Sequence, residues 1–439
     1  MESRPIKVLS TNPKREMRNN VGMGTLGDDP PSLSGLSVCL VGINYGPDAT
    51  GIAPYNVAMA QALQEAGAVV HVVTGIPHYP EWRVKDERYA VGSRWVEQID
   101  GVRVTRVRHH VPARSTLAGR ARMEANFLAR ATPVVWSDKS QVLIAVTPSL
   151  AGLAAAVYGK RRRPLGVLVQ DLTGNAAGES GTTGGRASRA IASFEYSLLR
   201  SADRVGVITP QFGRVLVSNG LSNDAISELP NFTHITPSTA SRAEARELLG
   251  WPVDGFLAVH TGNIGMKQGL ESVVEAARLS YEEGAGITFL LVGDGNQRAE
   301  LERLGSQVPT LRFLGPLSTE DYPLALAAAD ALVLNERPGV REMSLPSKLT
   351  SYTSAERPIL AAVEPGGITH SVISTGDAAL LVEPGNPRAL LRAALEIAAS
   401  PDKGDRIAAR AVAMHKRQYS PMLARARYVA FARGLADDA

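Results

Sequence analysis

From Leu36 onward, short runs of Val, Ile and Leu alternate with longer stretches whose apolar positions recur every three to four residues. Strands buried on both faces read as unbroken apolar runs, and the helices covering them show the 3.6-residue period, so the alternation predicts parallel sheets crossed by helices. The first half supplies Leu36 to Ile43, Val69 to Thr74, Val102 to Val107, Val142 to Val146, Leu165 to Gln170 and Arg204 to Ile208. The second supplies Phe256 to Thr261, Ile287 to Val292, Leu311 to Leu314, Ala331 to Asn335, Pro358 to Val363 and Ala379 to Val382. Six strands suffice for each sheet, so the expected fold is α/β with two doubly wound, Rossmann-like domains. Pro230 to Ser241, poor in aliphatics and punctuated by Pro230 and Pro237, reads as the connection and sets the boundary near residue 235. Residues 1–35 carry scattered cations and no continuous apolar stretch, and are expected to form a disordered extension. In such sheets ligands sit outside the carboxyl ends of the strands, so the chemistry is expected in the post-strand turns of both halves, around a cleft.

Composition narrows this picture without changing it. At 439 residues the chain exceeds the ~250–300 at which single cores stop growing, which fits two domains. Lys plus Arg number 47 against 43 for Asp plus Glu; the net charge of +4 is too mild for a protein that coats nucleic acid, and no nucleic-acid partner is expected. The single cysteine, Cys39, rules out an internal disulfide and is expected to be buried. The most membrane-like window, Val142 to Tyr158, is shorter than the ~20 apolar residues a spanning helix needs and is broken at Thr147-Pro148-Ser149, so a strand, turn and short helix are expected there. With no signal segment at its start, the protein is expected in the cytoplasm. The basic run Lys160 to Arg163, with Arg114, Arg120, Arg122 and Arg130, reads either as a solvated face or as a patch for anionic lipid at the inner face of the plasma membrane.

Four turns carry candidate chemistry. Gly22-Met23-Gly24-Thr25-Leu26-Gly27 matches a dinucleotide pattern in letters but lacks the strand before it and the helix after it, so it is set aside. Gly42 to Gly51 follows the first strand, and Gly51 lets the backbone approach a ligand closely; Tyr45 in this turn, with His78 and Tyr79 of the loop His78-Tyr79-Pro80-Glu81-Trp82, offers the aromatic faces and polar tips that suit an acceptor sugar. Thr261 to Gly269 follows the first strand of the second half and places Asn263, Gly265 and Lys267 just before a helix with Leu270, Val273, Val274 and Ala277 on one side, a setting that favours a phosphate group. Ser344 to Thr350 brings Ser347 and Lys348 to a second helix start opened by Pro346. Two lysines in one cleft would face a diphosphate with two positive charges, whereas lysines on separate surfaces would do nothing specific. Asp171, ending a buried strand, either orients a sugar hydroxyl or caps its turn. His71, inside an apolar strand, is expected to be a satisfied core residue.

These residues resemble the GT-B glycosyltransferases of family 4, especially the branch similar to colanic acid, exopolysaccharide and lipopolysaccharide fucosyl-type transferases. The likeness runs from Leu36 to about Leu435 and rests on GINYGPDATGI, LVQDL, LPNF, TGNIGMKQGLESVVEAARL, LVGDGNQRAELE, FLGPLSTEDYPLALAAADALVL and SLPSKLTSYTSAERPIL. It implies a retaining transferase that takes a sugar from a nucleotide diphosphate donor to a glycan or lipid-linked acceptor, with no metal and no cofactor. It further implies an acceptor-side domain over residues 36–235, a donor-binding domain over 236–415, and a C-terminal helix, 416–439, packing back on the first. Carried over by motif, Lys267 holds the donor diphosphate with Lys348, Gly51 approaches it from the other domain, Gly315 and Leu317 border the base, and Asp294 lines the donor side. Most members carry arginine where Asn263 stands and glutamates where Met343 and Ser351 stand; Lys348 supplies the missing charge, and either Ser351 or Glu342 takes the glutamate's role. A nucleotide-sugar 2-epimerase of the same fold and a non-catalytic sugar-binding protein are the competing readings.

Overall fold

The computed structural model describes residues 32–48, 51–79, 82–113, 116–172, 185–341 and 345–438. Most of the expected extension 1–35, the Gly22 to Gly27 match, Pro80, Glu81, Arg114 and Glu342 to Ser344 lie outside the described residues. Among those described, the first half forms an eight-stranded sheet ordered β3-β4-β2-β1-β5-β6-β7-β8. Its strands are β1 (Ser37–Val41), β2 (Val69–Gly75), β3 (Arg94–Ile99), β4 (Val102–Val107), β5 (Val142–Val146), β6 (Leu165–Val169), β7 (Arg204–Val207) and β8 (Ile226–Glu228). The second half forms a parallel six-stranded sheet ordered β11-β10-β9-β12-β13-β14, from β9 (Phe256–Thr261), β10 (Ile287–Val292), β11 (Leu311–Leu314), β12 (Ala331–Asn335), β13 (Ile359–Ala362) and β14 (Leu380–Val382).

The first sheet has two strands more than the six expected. The β3 edge strand pairs antiparallel with β4, and its residues alternate between exposed and half-buried, so its polar positions hide it from a search for unbroken apolar runs. Strand β8 is only three residues long. The domain also starts before Leu36, because Leu33 is fully buried and its N–H donates to the Ala66 carbonyl at 2.7 Å.

Successive side chains of the central strands feed opposite faces, as the two-residue period of a strand requires. Val38, Leu40, Val142 and Ile144 enter one apolar cluster with Met59 and Leu63 of helix α1 (Ala53–Glu65). Cys39, Val41, Leu143 and Ala145 enter the other with Phe127 of α2 (Leu117–Ser137) and Leu153 of α3 (Leu150–Gly159). The final helix, Pro421–Asp437, lies on the first of these faces and contributes Tyr428, Phe431 and Leu435. Gly166 in β6 makes room for it, since a Cβ there would stand 2.7 Å from the Phe431 ring. Arg204 of β7 closes this contact with a charged hydrogen bond to Asp438 at 3.1 Å.

In both sheets the chain reverses direction of progress beside the first strand, between β1 and β5 and between β9 and β12. The turns after β1 and β9 therefore open onto the crevices where ligands bind in doubly wound sheets. Emptying the contact under the final helix is expected to loosen the first sheet: Phe431→Ala should cost about 3–5 kcal/mol and lower the urea midpoint in equilibrium unfolding. An unchanged midpoint would place that helix outside the first domain's cooperative unit.

Candidate functional site

The second half builds its part of the site from loops laid backbone on backbone. Gly262, directly after β9, has φ +106°, and its N–H donates to the Val292 carbonyl at 2.8 Å. Gly293 has φ +141°, and a Cβ on it would fall 1.9 Å from the Gly262 carbonyl oxygen, so no other residue fits. The Ile264 N–H then donates to the Asp294 carbonyl at 2.8 Å, leaving the Asp294 carboxylate exposed. Gln268 ties the next turn together, its side-chain oxygen accepting from the Gly265 N–H at 3.2 Å and from the Asn263 amide at 3.3 Å.

Strand β12 pairs with β9, and its end holds the same turn from the side. The Asn335 amide donates to the Gln268 and Gly269 carbonyls at 2.7 and 3.0 Å, and the Arg337 N–H donates to the Lys267 carbonyl at 2.8 Å. The backbone of Lys267 is thus pinned while its side chain is exposed.

Lys348 begins the short helix Lys348–Tyr352 and points its Nζ inward, 2.9 Å from Nε2 of His260. His260 is fully buried on β9, and its Nδ1 lies 3.1 Å from the Val333 carbonyl. A carbonyl can only accept, so Nδ1 carries the proton and Nε2 accepts from the Lys348 ammonium. Burial, with the adjacent ammonium, drives the imidazole well below its ordinary pKa and keeps it neutral for this task. Burial also brings the Lys348 ammonium down to about 7, against the pull of Glu336 in the other direction. A Cβ on Gly262 would touch the Lys348 Nζ at 3.8 Å, so this cation sits directly over the turn after β9.

Ser351, almost fully buried, donates to the Lys348 carbonyl at 3.0 Å and meets the Tyr322 hydroxyl at 3.0 Å. Tyr322 and Tyr352 in turn hold Thr261, whose N–H donates to the Tyr352 oxygen at 2.8 Å. The Ser351 hydroxyl is therefore committed to a network that braces the end of β9. Ser347 and Gly315 are exposed on this side, and Leu317 is half-buried against the core.

In the first half, Asp171 follows β6 and lies within electrostatic reach of Lys267 of the other half. Burial pushes its carboxyl up to about 7; the Lys267 cation opposes the rise, and Glu195 adds to it. Gly51, exposed with φ +68°, lies against Tyr79, whose ring carbon would be 3.1 Å from a Cβ at that position. His78 is buried, donates from Nδ1 to the Ile76 carbonyl at 3.0 Å and packs edge-on against His109 at 4.8 Å. Tyr45 does not reach the cleft surface; it is 2% exposed within the apolar cluster under α1, where burial raises its hydroxyl to about 12.

Three side chains at the site were not among the candidates singled out from the sequence, although Asp48 and Tyr322 lie within quoted motifs. His260 lies in a run that reads as plain core strand; an imidazole one residue from a strand's carboxyl end was the available signal. Tyr322 is hidden in a helix, and Asp48, half-buried near His78 with its carboxyl raised by burial, sits in the turn after β1. At the opposite edge of the first sheet, His71 is satisfied at both nitrogens, by Asp138 at 2.6 Å and Thr105 at 2.8 Å. Cys39 beside them is buried, and Arg163 pairs with the same Asp138 at 3.1 Å.

Residues 50–231 match the Glycosyl transferase 4-like domain, and residues 255–400 match the Glycosyl transferases group 1 domain. The putative colanic acid biosynthesis glycosyl transferase WcaI of Escherichia coli is 29% identical over 337 residues, spanning 72% of this chain and 80% of that protein. Among solved structures, sucrose-phosphate synthase from Thermosynechococcus elongatus superposes with a TM-score of 0.71 at 16% identity, covering 92% of this chain and 100% of the other. Anabaena HepE in complex with UDP and glucose superposes at 0.64 and 16% identity, over 89% of this chain and 98% of that one. The two matched segments take up most of the sequence, the first spanning seven of the eight strands of one sheet and the second all six of the other, and the fold is GT-B. The chain belongs to the glycosyltransferase family in which a glycosyl transferase 4-like first half is joined to a group 1 second half.

Proposed function

We propose that this glycosyltransferase moves a sugar, with retention at the anomeric carbon, from a nucleotide diphosphate sugar to a glycan or lipid-linked acceptor in the synthesis of a cell-surface polysaccharide. One observation carries the reading: Lys267 and Lys348 stand at the carboxyl ends of the paired strands β9 and β12, and Asp171 of the other half lies within electrostatic reach of Lys267. The names of similar proteins support it, since WcaI is described for colanic acid biosynthesis and HepE holds UDP and glucose.

Breaking the anomeric bond of such a donor develops positive charge on the sugar and negative charge on the departing diphosphate, and only interactions stronger in that state raise the rate. Lys267 and Lys348 meet the negative charge. A donor phosphate oxygen takes the proton of the attacking hydroxyl on the same face, while the Asp171 carboxylate accepts a hydrogen bond from a sugar hydroxyl. The diphosphate lies over the Gly262 turn with Asn263 and Gly265, Gly51 closes from the first domain, and Gly315 and Leu317 border the base with Asp294 and Ser347 on the donor side. No bound metal or cofactor enters this scheme.

A peripheral contact with anionic membrane belongs to the same reading. No described helix is long and apolar enough to cross a membrane. Helix α2 exposes Leu117 and Trp136 beside Arg120, Arg122 and Arg130, whereas Lys160 and Arg163 of the neighbouring basic run are engaged with Asp203 and Asp138.

Removing one charge-stabilising donor of this kind typically costs about 10²–10³ in turnover. Lys267→Ala is therefore expected to lose that much in nucleoside diphosphate release from the accepted nucleotide sugar, and near-normal turnover would reject the role. NMR of the product's anomeric proton tests retention.

The pH profile follows from the two groups that titrate near 7. Lys348 is a cation below about 7 and loses its charge as pH rises, while Asp171 is a carboxylate above about 7 and loses its charge as pH falls. Activity that needs both charges should peak near neutrality and decline on each side. Lys348→Arg should remove the alkaline decline, and Asp171→Asn should remove the acid one at a lower plateau. A flat profile from pH 6 to 8.5 in the unmutated enzyme would sink this assignment.

A further inference from the structure

A second cluster of cations lies in the first domain, away from the Lys267–Lys348 turn. It surrounds a cavity of about 450 Å³ at the carboxyl ends of β2 and β4. Three separate elements supply its positive charge. Arg108 follows β4 and is steadied by a hydrogen bond from its guanidinium to the Gly92 carbonyl at 3.0 Å, and Lys85 comes from the loop before β3. Arg122, Asn126 and Arg130 come from α2, spaced by four residues each, so they form one stripe along the helix facing the strand ends.

Against Arg108, Arg122 and Arg130, the acidic side chains lining this wall are Asp86 and Glu87. Asp86 is held by Arg88 through its backbone N–H and its guanidinium at 2.6 to 2.9 Å, which leaves Glu87. Among the described residues, neither Arg122 nor Arg130 has a carboxylate within ion-pair distance, and both are exposed. Like charges gathered around a concavity repel one another unless an anion joins them.

The cavity shares the edge of the sheet that carries Asp171. From β4 to β6 the order runs β4-β2-β1-β5-β6, four strand spacings or about 19 Å. His109 at the back of the cavity packs on His78, and His78 packs on Trp82 at 5.8 Å, so a continuous wall leads from the cavity to the loop beside Gly51 and Tyr79.

We infer that this cavity binds a phosphate or diphosphate group of the acceptor, set back from the hydroxyl that attacks the donor sugar. Arginine guanidinium groups suit phosphate oxygens through paired charged hydrogen bonds, and two of them on one helix face, two turns or about 12 Å apart with Asn126 between them and Arg108 opposite, can converge on such a group from both ends. The inference rests on the transferase reading for what the group is attached to, but not for the binding itself.

Inorganic pyrophosphate is the probe, measured by isothermal titration calorimetry on the full chain. Lys267→Ala removes the cation expected to hold a diphosphate at the donor side, and in that background pyrophosphate should still bind. Adding Arg122→Gln and Arg130→Gln should then weaken it by roughly tenfold or more, the loss expected from one or more charged hydrogen bonds. Both arginines are exposed, and an unchanged thermal melt shows that the variant is folded; Arg122→Lys with Arg130→Lys should recover part of the affinity. Equal affinity with and without the two arginines would overturn the inference. Unchanged UDP binding on Lys267→Ala alone would instead count against the donor site, so the two failures are distinguishable. Farnesyl diphosphate below its micelle concentration should bind through the same arginines. Displacement of pyrophosphate by phosphatidylglycerol vesicles, but not by farnesyl diphosphate, would assign the cavity to a membrane headgroup and overturn the acceptor assignment.

Discussion

The burial of charge at the mouth of the cleft is the constraint on which the rest of the structure depends. Lys348 and Asp171 come from different halves of the chain, and burial moves both towards neutrality, the lysine down to about 7 and the aspartate up to about 7. Partial withdrawal from water raises the energy of each charged form, and the surroundings return only part of that energy through Glu336 for the lysine and Lys267 for the aspartate. Two unit charges 4 Å apart interact by about 4 kcal/mol at an effective dielectric constant of 20, against about 1 kcal/mol in bulk water. A ligand that brings its own charge into this cleft therefore meets groups whose electrostatic pull is amplified and whose orientation is already fixed.

For Lys348 that orientation is fixed by buried and half-buried polar groups. His260 holds Lys348 from inside the sheet, and its tautomer is set by the Val333 carbonyl. The Thr261, Tyr322, Tyr352 and Ser351 network braces the last residue of β9 just before Gly262 turns out of the sheet. The contact of Gly262 with Gly293 leaves no space for a side chain at the second position, so the loops after β9 and β10 behave as one rigid surface. These are the means by which a lysine, a flexible side chain with considerable rotamer entropy, becomes a positioned charge.

Much of this was legible because burial on both faces writes itself into sequence as unbroken apolar runs. Ile287–Val292 and Ala331–Asn335 appear at the bounds expected from their Val, Leu and Ile content. Strand β3 escaped because only one of its faces packs, and its Arg, Glu and Gln positions break the run. Lys267 and Lys348 were visible as cations flanked by glycine or proline at helix starts, which is a local signal. Tyr45 was read as a surface aromatic because its turn is rich in glycine and polar residues, yet the chain folds it back under α1 among Tyr55 and Met59. The position of His260 near the end of β9 hinted at a site, but its partner could not be read from its neighbours, since Lys348 lies 88 residues away and only the pairing of β12 with β9 brings the two together.

The division of labour between the halves follows from the same physics. An anion placed beside Lys348 favours the charged amine, so a bound diphosphate raises that pKa and draws in a proton when the free lysine is partly neutral. Where the diphosphate also engages Lys267, it removes the cation that holds the Asp171 carboxyl down, and the aspartate drifts towards its protonated form until a sugar hydroxyl donates to the carboxylate and offsets that loss. In the proposed scheme the donor thereby completes the second half, while a hydroxyl-bearing partner beside Asp171 completes the first. On that scheme, occupancy of one side changes the protonation energetics of the other across the cleft, so the two lysines and one aspartate couple the binding of donor and acceptor electrostatically.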